Sequence, residues 1–196
     1  TIPGTCSTGI HALLKTLGQD VKGVEPGDVA DYSLVTPVGA VPVLDDDGLL
    51  IRESAAIAQY LLEKHESDML PSDLSEKATF LQWLSFCSAT MHPAYGRLFF
   101  AQAHAKNEGE TYQPYIDAIA KLWGVVDAQL ANTQFTAGEK SSVVDYLLCV
   151  YASWRSYFDF DIPLGSNVER MIKDVSSQED FKAAYTAENI EFPLPF

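Results

Sequence analysis

Cys6 is the residue near the N-terminus whose type and position favour nucleophilic chemistry. It follows a turn of small residues and precedes a helical apolar pattern, so the sequence predicts it at the start of a helix. Free N–H groups and the positive end of the helix dipole stabilise a thiolate at such a position. Cys6 is therefore either a reactive thiol or an inert, half-buried cysteine. Cys87 and Cys149 lie on apolar helical patterns and are predicted to pack in the core.

Two short segments further along the chain could bind a polar ligand. A cis Val41–Pro42 bond would turn the backbone N–H and C=O of Val41 outward to pair with a peptide-like ligand, whereas a trans proline at the first residue of a strand is the alternative. Glu53 and Ser54 then open a helix. They form a simple N-terminal cap, or Ser54 donates to a ligand carboxylate and Glu53 accepts from a ligand ammonium group.

His92 lies on a long helical pattern that Pro93 interrupts. We expect a kink just after His92, because a proline removes one backbone hydrogen bond and crowds the carbonyl four residues earlier. Tyr95, Phe99 and Phe100 follow one turn on and would form an apolar wall. Taken alone, His92 is more typical of an ordinary surface or core histidine than of a functional one.

The composition is that of a globular protein. Of 196 residues, 47% are hydrophobic and 20% are charged, and the formal net charge is −14. This acidity disfavours nucleic acid and anionic membranes as partners. The sequence shows neither a spanning apolar run nor a secretory signal, so we expect a cytoplasmic protein. Three cysteines, odd in number and far apart, predict neither a disulfide framework nor a zinc site, and the remaining histidines have no partner at metal spacing.

The periodicity changes often before residue 65 and hardly at all after residue 75, so we predict one domain over 1–65 and a second, all-helical domain over 75–196. In the first domain, a strand ending at Ile2 leads to a helix that Ser7 or Thr8 caps and Gly18 ends. The predicted elements that follow are one short strand within 21–36, a hairpin over 41–51 with its turn at 45–48, and a helix over 53–65.

The second domain is predicted to contain long helices and an extended tail. The helix over 142–158 is apolar nearly all round, which is typical of a helix at the centre of its domain. The other predicted segments are helices over 75–104, 111–132, 165–175 and 177–189, and a tail over 192–196.

Several segments, taken together and in this order, resemble glutathione transferases. They are Pro3–Ser7, Thr36–Leu44, Arg52–Ile57, Thr90–His92 and Ala137–Asp145, and the first and fourth look most like the bacterial beta class. In the last segment, Ser142 resembles the family's helix cap, with Asp145 returning the bond. The resemblance implies an α/β plus all-α protein, in which an N-terminal thioredoxin-like domain precedes a C-terminal helical bundle.

The resemblance also implies roles for individual residues. Cys6 matches the cysteine that contacts the sulfur of glutathione, His92 matches the histidine that points at that sulfur, and Val41 matches the residue whose backbone pairs with the tripeptide. The resemblance likewise matches Pro42, Glu53 and Ser54 to residues that hold glutathione. We therefore predict as catalytic Cys6, Ser7 and His92, and as glutathione-binding Val41, Pro42, Glu53, Ser54 and Ser85, although Ser85 stands where the family often has an asparagine. The predicted contacts to the hydrophobic substrate are Tyr95 and Phe99, with Tyr157 and Phe196 as further candidates.

The predicted function is conjugation of glutathione, as co-substrate, to small hydrophobic electrophiles by a cytoplasmic detoxifying homodimer without a metal. This prediction needs a cis bond at Pro42 and a Cys6 thiol that solvent can reach. Two alternatives stay open. One is monothiol, glutathione-dependent thiol transfer through Cys6, and the other is a non-catalytic binding module, since only Lys22 is near the place where beta-class enzymes offer a lysine to glutathione.

Overall fold

The computed structural model describes residues 1–104 and 112–190. Its N-terminal part contains three α-helices, a two-stranded antiparallel sheet and a 3₁₀ turn. In chain order these elements are α1 (Cys6–Thr16), a 3₁₀ turn (Pro26–Asp28), α2 (Tyr32–Val35), β1 (Val43–Asp46), β2 (Leu49–Arg52) and α3 (Ser54–Lys64).

The predicted hairpin is confirmed. β1 and β2 pair from Val43 opposite Arg52 to Asp46 opposite Leu49, which leaves Asp47 and Gly48 as the two turn residues. Both have positive φ, 52° and 91°, as a tight turn of this hand requires, and an Asp-Gly pair adopts that conformation readily.

The start of α1 differs from the prediction. Thr5, and not Ser7 or Thr8, is the N-cap, and its side chain accepts a hydrogen bond from the backbone N–H of Ser7. The predicted strand ending at Ile2 is absent from the described residues, because the chain before Cys6 forms a turn. The helix does end before Gly18, whose φ of 66° suits a glycine.

The link over 21–36 contains no strand, which corrects the prediction. Pro26 starts the 3₁₀ turn, and the Asp31 side chain caps α2 by accepting from the N–H of Ser33. The guanidinium of Arg52 donates to the carbonyl of Val35, and the Tyr32 hydroxyl donates to the carbonyl of Ala40 at 2.9 Å. These bonds hold the segment that leads into Val41.

The described remainder of the chain is helical. Its elements are α4 (Leu74–Phe86), a π-helical segment (Cys87–Met91), α5 (His92–His104), α6 (Gln113–Leu130), α7 (Val143–Ser153), a 3₁₀ turn (Trp154–Tyr157), α8 (Ser166–Ser176) and α9 (Glu179–Ala187). The start at Thr111 of the helix predicted over 111–132 lies outside the described residues, as does the predicted tail over 192–196. No helix in the described ranges has the length and apolar character needed to cross a membrane.

The break in the long helix lies before His92 and not after it. The N–H of His92 donates to the carbonyl of Cys87, five residues earlier, so the backbone widens into a π turn. Pro93 has no N–H for the carbonyl of Ala89, and its ring needs room beside that turn. The wide turn provides this room, and the helix continues through Pro93.

α7 is the central helix, as predicted. Each of its residues is buried, and a capping box formed by Ser142 and Asp145 starts it. α1 packs against both α7 and α9, so one apolar core joins the N-terminal part to the helices. A Cβ atom on Gly9 would lie 2.9 Å from Leu147 Cδ2, which shows how closely α1 and α7 approach. Cys87 and Cys149 lie in this core, fully buried.

Candidate active site

Cys6 is the first residue of α1, and its side chain is buried. The residue is 6% exposed, and its thiol donates to the Tyr151 hydroxyl at 3.6 Å. Burial raises the pKa of the Cys6 thiol to about 11, although hydrogen bonds from Tyr151, the backbone and Ser54 oppose this shift. The prediction that the helix start yields a solvent-accessible thiolate is therefore wrong, because loss of hydration outweighs the helix dipole.

The hydroxyl of Ser7 is used inside the turn before α1. It donates to the carbonyl of Ile2 at 2.9 Å, accepts from the N–H of Ile2 at 3.0 Å and lies 2.9 Å from the Thr5 hydroxyl. Ser7 is 1% exposed. The structure therefore gives Ser7 a role in shaping the turn and does not bring its hydroxyl to the Cys6 sulfur.

The Val41–Pro42 peptide bond is cis, so the first of the two conditions set by the sequence is met, whereas the second, a Cys6 thiol that solvent can reach, is not. Pro42 is buried, and β1 begins at the next residue. Within residues 1–104 and 112–190, neither the N–H nor the carbonyl of Val41 has a hydrogen-bond partner. This backbone edge is therefore available to an extended ligand.

Glu53 and Ser54 lie where β2 passes into α3. Glu53 is the N-cap residue with a φ of 70°, it is exposed, and its side chain does not cap the helix. Ser54 is buried, close enough to the Cys6 side chain to lower the pKa of its thiol. The expected side-chain cap is thus absent, and the first N–H groups of α3 can donate to a ligand carboxylate.

His92 begins α5 beside two aromatic rings. Its ring centroid is 6.0 Å from that of Tyr151 and 5.5 Å from that of Trp154. Partial burial lowers the pKa of His92, and the charge of Glu53 opposes this effect. The imidazole is therefore neutral near pH 7 and can accept or donate a proton. The Tyr151 hydroxyl contacts the Cys6 sulfur and its ring lies beside His92, so Cys6 and His92 share one site.

Tyr95 does not line an open surface, which corrects its assignment as a substrate contact. It is fully buried, its hydroxyl accepts from the indole N–H of Trp123 at 2.9 Å, and its ring packs edge-on against Trp154 at 5.4 Å. Phe99 is partly buried between Trp154 at 5.7 Å and Phe158 at 4.9 Å. We call the rings of Phe99, Trp154 and Tyr157 the aromatic wall. Tyr95 thus supports this wall from the core side, through its contact with Trp154.

Other predicted contacts are more distant or undescribed. Ser85 is exposed on α4, and no described side-chain contact joins it to Cys6. Tyr157 is 58% exposed and packs against Phe99 at 6.1 Å. Phe196 lies outside the described residues.

Tyr151 and Trp154 are site residues that the sequence pattern does not single out, because it places both on an apolar central helix. Tyr151 brings a hydroxyl to the Cys6 sulfur, and the Trp154 indole N–H donates to the carbonyl of Gly4 at 2.7 Å. Both are buried, so their rings belong to the core although their polar atoms serve the site. The signal available in the sequence was that buried Tyr and Trp side chains need polar partners.

Comparison with known proteins agrees with this geometry. Residues 7–69 match the family described as "Glutathione S-transferase, N-terminal domain". Glutathione S-transferase D7 of Drosophila melanogaster is 31% identical over 86% of this chain and 78% of its own length. A solved sphingomonad glutathione S-transferase complexed with glutathione has a TM-score of 0.84 and 25% identity, covering 97% of this chain and 98% of its own. A beta-class enzyme from Sphingomonas chungbukensis has a TM-score of 0.82 and 26% identity, with the same coverage.

The fold is thus a thioredoxin-like α/β domain followed by an all-helical domain, with a cis proline and a helix-start cysteine in the first. The chain belongs to the glutathione S-transferase family and is an enzyme of that class, for which glutathione is the co-substrate. The resemblance drawn from the sequence is confirmed, since solved beta-class enzymes are among its structural neighbours. Among residues 1–104 and 112–190, no group of three or more His, Cys, Asp or Glu side chains is placed to hold a metal ion.

Proposed function

We propose that this chain conjugates glutathione to hydrophobic electrophiles in the space bounded by the starts of α1, α3 and α5. The convergence of these three helix starts is the observation that carries the proposal. The Cys6 thiol donates to the Tyr151 hydroxyl at 3.6 Å, the His92 ring centroid lies 6.0 Å from that of Tyr151, and α1 packs against α3. One end of the site therefore presents Cys6 and His92 to the sulfur of glutathione, and the other end presents Glu53 and Ser54 to its polar groups.

The tripeptide is held by backbone and side-chain groups of the first domain. Val41, with an unpaired N–H and C=O among the described residues, is placed to bind the cysteinyl backbone of glutathione as an antiparallel strand would. The free N–H groups at the start of α3, with the Ser54 hydroxyl, suit the γ-glutamyl carboxylate. Glu53, exposed beside them, suits the γ-glutamyl ammonium group.

Conjugation fits the site better than thiol transfer through Cys6. With a pKa of about 11, Cys6 is a thiolate in only about one molecule in ten thousand at pH 7. Conjugation needs no thiolate at Cys6, because the thiolate of bound glutathione is itself the nucleophile. The neutral His92 imidazole can assist by accepting a proton.

The electrophile is expected on the aromatic side of the site. Phe99 and the exposed Tyr157 offer apolar contact area, and the buried Trp154 ring lies behind Phe99. Such a wall selects by size and hydrophobicity more than by hydrogen bonds, so it suits several electrophiles.

We further propose that the enzyme is a homodimer, as is typical of its family, and that it acts in the reducing cytoplasm. The second point is supported by the cysteines, since Cys6, Cys87 and Cys149 are all free and buried.

Turnover of 1-chloro-2,4-dinitrobenzene with glutathione tests the proposal. We expect conjugation by the unmodified chain, retention on immobilised glutathione, and measurable conjugation by Cys6→Ala. Cys149→Ala is the matched control, because it removes a buried thiol outside the site.

Incubation with oxidised glutathione followed by mass spectrometry separates the mechanisms. A glutathione adduct on Cys6, together with complete loss of turnover in Cys6→Ala, would favour thiol transfer. A chain that neither binds nor conjugates glutathione would favour a non-catalytic binding module.

A further inference from the structure

A buried carboxylate at the end of α9 reaches the start of α1. The Glu188 side chain is 5% exposed, and one of its oxygens accepts from the Thr8 hydroxyl at 2.6 Å. The other oxygen lies 3.1 Å from Nδ1 of His11, whose side chain is also buried. A charged group is rarely buried without a structural or functional reason, so these contacts call for an explanation.

Thr8 connects Glu188 to the turn before Cys6. Its hydroxyl oxygen accepts from the N–H of Gly4 at 2.9 Å while its proton is donated to Glu188. Thr8 is fully buried, so no water competes for these bonds. Gly4 is thereby held on both sides, since its carbonyl accepts from the Trp154 indole at 2.7 Å.

The direction of the Thr8 hydroxyl depends on Glu188. A threonine hydroxyl inside a helix commonly donates to the carbonyl four residues earlier, which for Thr8 is the carbonyl of Gly4. The carboxylate of Glu188 is the stronger acceptor and takes this proton, so the oxygen lone pair stays directed at the N–H of Gly4. Gly4 has a φ of 73°, and the turn it forms leads directly to the Thr5 cap and to Cys6.

We propose that Glu188 and Thr8 are positioning residues for the sulfur end of the active site, because together they hold the Gly4 turn that places Cys6. The link to catalysis rests on the proposed function, since Cys6 matters there as the neighbour of the glutathione sulfur. Thus the last described helix of the second domain sets the geometry of a site that the first domain presents.

The test compares the native protein with Thr8→Val, Thr8→Ser and Glu188→Leu. Thr8→Val keeps the shape of the side chain but removes its hydroxyl, and Thr8→Ser restores the hydroxyl. Thr16→Val is the matched control, because it removes a hydroxyl at the other end of α1 that bonds to Ala12 and Tyr146. Each variant is assayed well below its own unfolding temperature.

The first measurement is alkylation of Cys6 by iodoacetamide, resolved from Cys87 and Cys149 by peptide mass spectrometry. Loss of a charge-assisted hydrogen bond corresponds to about a tenfold effect, so we expect Cys6 to react about tenfold faster in Thr8→Val and Glu188→Leu. Cys87 and Cys149 are the internal reference, since general loosening would expose all three thiols together. Thr8→Ser and Thr16→Val should react at the native rate.

The second measurement is the KM for glutathione, which should rise in Thr8→Val and Glu188→Leu with a smaller change in kcat. Cys6 alkylation does not involve glutathione, so it tests the positioning role even if the chain fails to conjugate. If Glu188→Leu does not fold, Thr8→Val alone tests the positioning role. The inference is overturned if Thr8→Val leaves the Cys6 rate within about twofold of native, if Cys87 and Cys149 accelerate equally, or if Thr16→Val has the same effect.

Discussion

Replacing Asp145 by alanine should destabilise the protein far more than loss of an ordinary helix cap. The carboxylate accepts from the backbone N–H groups of Thr136 and Ser142, both at 2.8 Å, and from the Ser142 hydroxyl at 3.1 Å. Asp145 is fully buried, so water cannot replace these bonds. An exposed cap contributes about 1 kcal/mol, whereas each buried group left without a partner costs about 1–3 kcal/mol. Two such N–H groups bring the expected loss to about 2–6 kcal/mol.

Urea denaturation followed by circular dichroism measures this loss. Asp174→Ala is the matched control, because its carboxylate is partly exposed and lies 3.8 Å from Arg170 in an i,i+4 pair. We expect less than about 0.5 kcal/mol for the control. A loss below about 1 kcal/mol for Asp145→Ala, or one equal to the control, would refute the argument that burial enlarges the role of this cap.

The pH dependence provides a second test of the same carboxylate. Burial raises the pKa of Asp145 above its usual 3.8, so the folded protein holds the proton more tightly than the unfolded chain. Between these two pKa values the free energy of unfolding should therefore fall as the pH rises. Asp145→Asn removes this dependence. If the slope in that pH range were unchanged in Asp145→Asn, another group would be responsible.

Three further outcomes are expected. Because burial raises the pKa of Cys6 to about 11, its rate of alkylation should still be rising at about pH 10; a plateau below that pH, measured by mass spectrometry, would contradict the burial argument. His92→Ala should lower kcat/KM by about a hundredfold or more. Since the pKa of His92 is lowered from 6.5, the ratio of the native kcat/KM to that of His92→Ala, in which ionisation of the glutathione thiol cancels, should stay constant above pH 6.5, and a fall of this ratio at higher pH would disprove a neutral imidazole. Gly9→Ala should lower the free energy of unfolding by about 1–3 kcal/mol, since its Cβ would lie 2.9 Å from Leu147 Cδ2. Gly96→Ala in α5 meets no atom within 4 Å, so equal melting-temperature losses in the two variants would argue against the close helix contact.

Much of the fold was predictable because its signals are local. The Asp47-Gly48 turn, the apolar period of α1 and the capping residue Ser142 each act within a few residues of the chain. Boundaries were less accurate where two local signals competed. Thr5, Ser7 and Thr8 can all cap a helix, and only the contacts of their hydroxyls show that Thr5 does so.

The candidate site was predictable as a set of positions and not as a chemical state. Cys6, Val41, Ser54 and His92 were all located from motifs, and the expected cis bond at Pro42 is present. The protonation of Cys6 was not predictable, because a helix start lowers a thiol pKa and burial raises it. Burial depends on Tyr151, which is 145 residues away in sequence.

The sequence by itself determined the family, the order of the longer helices and the hairpin, and the segments proposed to hold the site, since all of these follow from local periodicity and short motifs. The tertiary structure alone decided that Cys6 is buried and protonated, that Tyr95 supports the aromatic wall from within, and that Glu188 reaches the turn before α1. The physical reason is that desolvation and the pairing of buried polar groups depend on which distant segments pack together. No local pattern in the sequence shows which distant segments pack together.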